Sequence, residues 1–222
     1  MAANVKVIEF YGLPGCGKTT LKNHILNCSL KNVGTIQDVM KLYKKEPLIY
    51  KITHLPIKRW WLLFLFIQSL PDRKKNGREF YIALYSRTLA YTYCSNRDLF
   101  DLVIVDHGLI QQVGSILHNM DYKISEKSLK RLVLFMASME ETKAMYCRIP
   151  CNLALIRIRE RHRNGGRIDA VMDDKDKALY YLDREYALFE KISSCTNGDF
   201  SVLDMTKPTI ELENDYYEIL ES

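Results

Sequence analysis

A glycine-rich segment near the N-terminus combines the residue types that bind phosphate. Within GLPGCGKTT, the pattern G-x-x-x-x-G-K-S/T is met by Gly12, Gly17, Lys18 and Thr19. Glycine lacks a Cβ, so successive backbone N–H groups can approach phosphate oxygens. A helix expected to begin near Gly17 adds its unpaired N–H groups and the positive end of its dipole. Lys18 can neutralise terminal phosphates, and the Thr19 hydroxyl can ligate Mg²⁺. The predicted nucleotide-binding residues are Gly12, Pro14, Gly15, Cys16, Gly17, Lys18, Thr19 and Thr20.

A carboxylate is expected beside this loop, although it lies far away in sequence. The apolar run FDLVIV, residues 100–105, is typical of a parallel strand covered on both faces, and it ends at Asp106. Because the carboxyl ends of parallel strands face one crevice, Asp106 and Gly12 should converge. Asp106 could hold Mg²⁺ through water, or accept a proton from a substrate hydroxyl. The adjacent His107 is a candidate substrate contact, although a single histidine is more often structural.

Arginines concentrate further along the chain, in RIRERHRNGGRID. Such density is self-repulsive unless an anion neutralises it, and the sequence NGG makes the segment a flexible flap. A guanidinium group binds phosphate oxygens through two parallel hydrogen bonds, which suits the transfer of a phosphoryl group. The alternative is a solvated basic helix end, favoured by the helix dipole. The candidate catalytic arginines are Arg157, Arg161, Arg163 and Arg167.

Hydrophobic periodicity places these residues on an alternation of strands and helices. Strands are predicted at residues 5–10, 100–105, 144–149 and 200–204, and helices at 58–70, 78–96, 109–119, 125–139, 152–162 and 174–193, with a last helix from Pro208. Residues 34–56 carry mixed strand-like and helical patterns that do not resolve. Arg87 lies on the largely apolar stripe of the 78–96 helix, where it either snorkels to the edge or meets a buried anion; its position favours snorkelling.

Composition limits the class of protein. The 222 residues suit one domain spanning 1–222, and 47% hydrophobic residues can bury a core. A net charge of +5 suits a nucleotide but does not by itself indicate nucleic acid. Six scattered cysteines, with no C-x-x-C and no short Cys/His pairing at zinc spacing, together with the absence of a signal peptide predict a cytoplasmic protein.

The longest apolar run, residues 60–67, is too short to span a bilayer. The predicted helix that contains it, residues 58–70, is apolar on nearly all sides. It should pack in the core, against a partner subunit in a homodimer, or over a ligand, and core packing is favoured.

Four segments taken together resemble the P-loop nucleoside and nucleotide kinases, most closely the thymidylate kinase branch. They are GLPGCGKTT, ALYSRTLAY, DLVIVDHG and CRIPCNLALIRIRERHRNGGRID. The resemblance implies a three-layer α/β P-loop NTPase fold, in which a five-stranded parallel sheet carries an arginine-rich lid at about residues 160–174. It also implies that Lys18 and Thr19 bind ATP with Mg²⁺, that Arg87 meets the acceptor phosphate, and that Asp106 is the base or the metal-linked carboxylate.

The departures from that pattern fall on the acceptor side. His107 stands where thymidylate kinases usually have arginine, and Tyr11 replaces their acidic residue before the first loop glycine, with Glu9 displaced along the strand. The second-strand substrate motif is not identifiable between Gly34 and Pro56. The acceptor is therefore open among a nucleoside monophosphate, a nucleoside, a sugar and another small hydroxyl compound.

The predicted function is an ATP-dependent phosphotransferase that acts on a small acceptor, most directly a nucleoside monophosphate or a nucleoside. One alternative is a nucleotide-responsive ATPase switch that signals to a protein through the helix at residues 60–67. Another is a kinase of polynucleotide 5′-hydroxyl groups that uses the basic flap. No RNA-binding motif supports the latter, and nucleic acid is not expected as a partner.

Overall fold

The computed structural model describes residues 7–29, 32–70, 77–97, 99–119, 125–139, 141–161, 173–195 and 200–221. The strands are β1 (Val7–Tyr11), β2 (Val33–Thr35), β3 (Leu102–Val105), β4 (Thr142–Arg148) and β5 (Phe200–Asp204). They form one sheet in the order β2-β3-β1-β4-β5, and every pairing is parallel. The predicted five-stranded parallel sheet is confirmed.

Ten helices connect and cover these strands in the described residues. They are α1 (Lys18–Cys28), α2 (Ile36–Lys45), α3 (Leu48–Thr53), α4 (Ile57–Gln68), α5 (Gly77–Asn96), α6 (Leu109–Asn119), α7 (Glu126–Ala137), α8 (Cys151–Glu160), α9 (Lys175–Ser194) and α10 (Thr209–Glu221). All five residues of β1 and all four of β3 are buried, as expected for central strands that are covered on both faces.

The register of the sheet brings together the two segments that carry chemistry. β1 lies between β3 and β4, and Glu9 of β1 pairs with Val105 at the end of β3. The loop after β1 and the turn after β3 consequently leave the same edge of the sheet, side by side. The predicted convergence of Asp106 with the glycine-rich loop follows from this register.

The region that the sequence leaves undefined contains the shortest strand. β2 has three residues, and α2 begins directly after it. Thr35 caps α2: its hydroxyl oxygen accepts from the Asp38 backbone N–H, and the Asp38 carboxylate accepts from the Thr35 backbone N–H. A strand of three residues at a sheet edge is too short for an alternation pattern, which explains the missing prediction.

Helix α4 is only partly a core helix. Leu63, Phe66 and Ile67 are buried, whereas Trp61 is 60% exposed and stacks on the half-exposed Phe64 with ring centroids 5.6 Å apart. The expectation that this segment is ordinary core therefore holds for one face only. In the part of the chain that the structure describes, none of the helices has the length and apolar character needed to cross a membrane.

Candidate active site

The glycine-rich loop joins β1 to α1 in a backbone conformation that favours glycine. Gly12 and Gly15 have φ values of 149° and 77°. A Cβ on Gly12 would lie 2.5 Å from the Cys147 carbonyl oxygen, and one on Gly15 would lie 2.7 Å from the Ala154 carbonyl oxygen. The loop is thus pressed against β4 and α8. Gly17, the N-cap of α1, supplies no side-chain cap, so the backbone N–H groups of the first turn are left for another acceptor.

Lys18 lies inside this loop with only 8% of its surface exposed. Its Nζ donates to the carbonyl oxygens of Gly12 and Leu13, both at 2.8 Å, and lies 3.3 Å from the Cys16 sulfur. The ammonium group is thus held against the carbonyl oxygens of the loop backbone. The predicted role of Lys18 in phosphate binding stays a prediction.

A cysteine of the loop is paired with a cysteine of β4. Cys16 and Cys147 are both fully buried and are hydrogen-bonded to each other. Burial opposes ionisation of Cys16, but the hydrogen bond from Cys147 and the charge of Lys18 outweigh it and lower the pKa of the Cys16 thiol to about 6. Burial and the neighbouring Cys16 raise the pKa of Cys147. Cys16 therefore acts as a partner of Lys18 as well as a small side chain that fills space.

Asp106 follows β3 and reaches the first turn of α1. Its Oδ2 accepts from the Thr19 hydroxyl at 3.0 Å and from the Lys22 ammonium at 2.9 Å. Asp106 is only 6% exposed, and this burial opposes its ionisation. The hydrogen bond and charge of Lys22, together with the hydrogen bond from the Thr19 hydroxyl, outweigh burial and lower the pKa of Asp106. Sequence reasoning missed Lys22, although it lies one helical turn after Lys18.

The Thr19 and Asp106 oxygens fit the preferences of Mg²⁺. This hard cation takes oxygen ligands and is usually held by one or two protein groups together with substrate phosphates. A hydroxyl and an ionised carboxylate 3.0 Å apart, next to the phosphate cradle, provide those ligands. Lys22 competes for the same carboxylate oxygen.

A buried carboxylate connects the loop to the turn after β3. Glu9 is fully buried, and it accepts from the Leu109, Ile110 and Gln111 backbone N–H groups at 2.6–3.2 Å and from the Tyr91 hydroxyl at 3.0 Å. Burial raises the pKa of Glu9, and these donors act in the opposite direction. Glu9 thus provides hydrogen-bond acceptors for the backbone N–H groups in the first turn of α6. This helix follows Asp106 and His107 in the chain.

Gln111 in the same turn completes the connection. Its side-chain oxygen accepts from the Gly12 backbone N–H at 3.0 Å, which joins the N-terminus of α6 to the start of the phosphate loop. Sequence reasoning missed Gln111 and Tyr91. The acidic Glu9 within an otherwise apolar strand was the available signal, since a buried carboxylate needs hydrogen-bond donors.

The two predicted acceptor-side residues lie together beside Asp106. Arg87, on α5, donates from Nε to the His107 carbonyl oxygen at 2.6 Å. Arg87 is half-buried and makes this hydrogen bond in an exposed setting, as expected for a side chain that reaches the edge of the apolar stripe. Partial desolvation lowers the pKa of His107. The charge of Asp106 acts to raise this pKa, whereas the positive charges of nearby side chains lower it further. Those side chains are Lys18, Arg87 and Lys22. The imidazole next to the loop is therefore biased toward its neutral form.

The predicted arginine cluster divides between two settings. Arg157 lies on α8 and donates to the Cys16 carbonyl oxygen at 3.3 Å and to the Met205 carbonyl oxygen at 3.1 Å, so it joins the loop to the segment after β5. Arg161 is the C-terminal cap of α8. Arg163 and Arg167 fall outside the described residues, as does most of the predicted lid at about 160–174.

Comparison with known proteins relates this architecture to solved kinases. No protein-family model and no curated protein sequence matches the chain. A deoxyadenosine kinase from M. mycoides, solved with the products dCMP and a flexible dCDP, superposes with a TM-score of 0.52 at 16% identity, over 97% of this chain and 98% of its own. The same kinase with bound dATP gives a TM-score of 0.52 at 16% identity, over 97% of this chain and 99% of its own. The chain is similar to this deoxyadenosine kinase over nearly its whole length and shares its fold.

Proposed function

We propose that the protein is an ATP- and Mg²⁺-dependent phosphotransferase whose acceptor is a nucleoside or a nucleoside monophosphate. One observation carries the proposal: Lys18 is enclosed by the glycine loop at 2.8 Å from two loop carbonyls, directly beside the Thr19 and Asp106 oxygen pair. A cradle, a cation and a hard-metal ligand pair at one edge of a parallel sheet are the parts that phosphoryl transfer from a nucleoside triphosphate requires.

The proposed roles follow from the positions of the residues. The loop N–H groups and Lys18 bind the β- and γ-phosphates, and Thr19 and Asp106 hold Mg²⁺, which neutralises phosphate charge. Catalysis then consists of positioning and charge stabilisation. Arg157, which already contacts the loop backbone, keeps the cradle in place. We assign Arg161, Arg163 and Arg167 to a lid that closes over the triphosphate.

Two observations support a nucleoside-type acceptor. Arg87 and His107 meet next to Asp106, on the side of the loop where β3 ends, and they offer donors to a hydroxyl or a phosphate. The similar folds were solved with deoxynucleotides bound, which makes deoxynucleosides the first acceptors to test.

The test is acceptor-dependent ADP release from Mg·ATP, with deoxynucleosides, nucleoside monophosphates and sugars supplied separately. Lys18→Ala should reduce turnover at least 100-fold. Lys130→Ala, at an exposed position of α7, is the matched control that loses an equal charge away from the site. Unchanged turnover in Lys18→Ala, or an equal loss in the control, would contradict the assignment.

An ATPase switch that acts on a protein partner is the second candidate, because the exposed Trp61 and Phe64 leave an apolar part of α4 uncovered. The same assay separates the two functions. A switch releases ADP at one slow rate whatever acceptor is present, whereas a kinase releases ADP only with its acceptor and in a one-to-one ratio with the phosphorylated product.

A further inference from the structure

Three metal-ligating side chains meet at the opposite end of α1 from the phosphate loop. His24 and Cys28 lie one helical turn apart on α1, and Glu213 approaches them from α10. The His24 Nε2 is 2.8 Å from the Glu213 Oε2 and 3.9 Å from the Cys28 sulfur. One ligand atom from each of the three residues lies within 4.8 Å of the others. His24 is six residues beyond Lys18, or about 9 Å along the helix, so this cluster is separate from the Thr19 and Asp106 pair.

The chemistry of this set differs from that of a magnesium site. A thiolate, an imidazole and a carboxylate are the ligand types that Zn²⁺ takes, and three protein ligands with one water complete its tetrahedral coordination. Mg²⁺ requires oxygen ligands and would gain only the carboxylate here. The ligand types therefore select a borderline-soft divalent cation.

The spacing is close to what tetrahedral zinc requires. Typical zinc–ligand lengths put the nitrogen and oxygen ligands about 3.4 Å apart and the nitrogen and sulfur ligands about 3.6 Å apart. The 2.8 Å contact between His24 and Glu213 must widen by about 0.6 Å, and the 3.9 Å contact between His24 and Cys28 must shorten by about 0.3 Å. The carboxylate oxygen and the sulfur, which lie within 4.8 Å of each other, must come to about 3.6 Å. All three ligand atoms are on partly or fully exposed side chains, whose rotation can provide these shifts.

The three side chains are partly or fully exposed, so a metal ion can reach them from solvent. Without a metal, the imidazole and the carboxylate pair with each other, and the sulfur lies 3.9 Å from each of the two imidazole nitrogens. Zinc would use all three groups at once, with loss of the thiol proton.

We propose that His24, Cys28 and Glu213 form a zinc-binding site that joins the phosphate-loop helix α1 to the C-terminal helix α10. The joined elements are 189 residues apart in sequence, so the bound metal stabilises the folded chain. The site needs no nucleotide, and it stands whether or not the proposed kinase function is correct.

The test is a titration of the chelator-treated 222-residue protein with Co²⁺, in buffer with excess Mg²⁺ and no nucleotide. Site formation produces a thiolate-to-cobalt charge-transfer band that equimolar Zn²⁺ abolishes. Zn²⁺ at about 100 times its dissociation constant should raise the unfolding midpoint by about 5–11 °C. Cys28→Ser should lose the band, and Glu213→Gln should weaken zinc binding at least tenfold.

Cys195→Ser is the matched control, because Cys195 is another exposed cysteine at a helix end. It should keep the band and the full thermal shift. A band that persists in Cys28→Ser, a band that is lost in Cys195→Ser, or a wild-type protein whose midpoint does not respond to Zn²⁺ would each overturn the proposal. Because Cys28 is exposed, the metal-free midpoint of Cys28→Ser should match that of the wild type, and a lower midpoint would argue for a structural role instead.

Discussion

Replacement of Gly15 by alanine tests whether α8 holds the phosphate loop in place. The φ of 77° at Gly15 costs an alanine about 1–2 kcal/mol. The new Cβ would also lie 2.7 Å from the Ala154 carbonyl oxygen and 2.7 Å from the Ile158 Cγ1. The carbonyl is fixed within α8 and cannot move aside, so this overlap adds about 1–3 kcal/mol. The expected loss in the free energy of unfolding is about 2–5 kcal/mol.

Gly17→Ala is the matched comparison, because it shares the strain without the overlap. Gly17 has a φ of 102°, and its added Cβ would meet only the mobile Met205 Cε at 3.3 Å and the Arg157 Nη1 at 3.9 Å. Its expected cost is the strain alone, about 1–2 kcal/mol. For a chain of this size, the difference between the two variants is about 2–12 °C in unfolding midpoint.

The assay is thermal unfolding of both variants and of the wild-type protein, with urea unfolding to give free energies. Gly15→Ala should unfold first and Gly17→Ala second. Midpoints of the two variants that agree within about 1 °C would refute the reasoning, because contact with α8 would then add nothing to backbone strain.

Two further predictions concern the charges beside the loop. Lys22→Met removes the ion pair with Asp106, whose members are 14% and 9% exposed, and should cost about 1.5–3 kcal/mol at neutral pH. Because the pKa of Asp106 is lowered, the stability from its ionised form is present at neutral pH and is lost as pH falls through that pKa. Urea unfolding of Lys22→Met should therefore show a weaker loss of stability on acidification than the wild type, and equal acid dependence would contradict this. An NMR titration of His107 in the wild-type protein should give a midpoint below pH 6.5. The midpoint should be higher in Lys22→Met, which loses a nearby cation, and lower in Asp106→Asn, which loses a nearby anion. A wild-type midpoint above 6.5 would contradict the assigned environment.

The parts of the site that sequence predicts are those encoded in short contiguous segments. The glycine loop is a motif of nine residues, and β3 is a continuous apolar run that ends in Asp106, so strand, turn and carboxylate can be recognised locally. Their convergence follows from a general property of parallel sheets and needs no further sequence information.

The parts that sequence reasoning missed depend on contacts between distant segments. The Lys22 partner is 84 residues away, and the Gln111 partner is 99 residues away. Arg87 was correctly placed on a helix, but periodicity cannot show that its guanidinium binds the carbonyl that follows Asp106. The spacing of His24 and Cys28 was not recognised as a ligand pair, because its third member comes from the last helix.

The predicted lid stays a prediction. Arg163 and Arg167 fall outside the described residues, and Arg157, which was predicted as a catalytic arginine, lies on α8 with hydrogen bonds to two backbone carbonyls. Arginine density indicates an anion nearby, but it does not distinguish a residue that steadies the loop from one that reaches the phosphate.

The central claim is that the loop around Lys18 binds a polyphosphate. Its most direct test is calorimetric titration of Mg·ATP into the wild-type protein and into Lys18→Ala. The account predicts saturable one-to-one binding to the wild type and at least tenfold weaker binding to the variant, with unfolding midpoints that show both proteins folded. Equal affinity in the two folded proteins, or no heat of binding to the wild type, would contradict it.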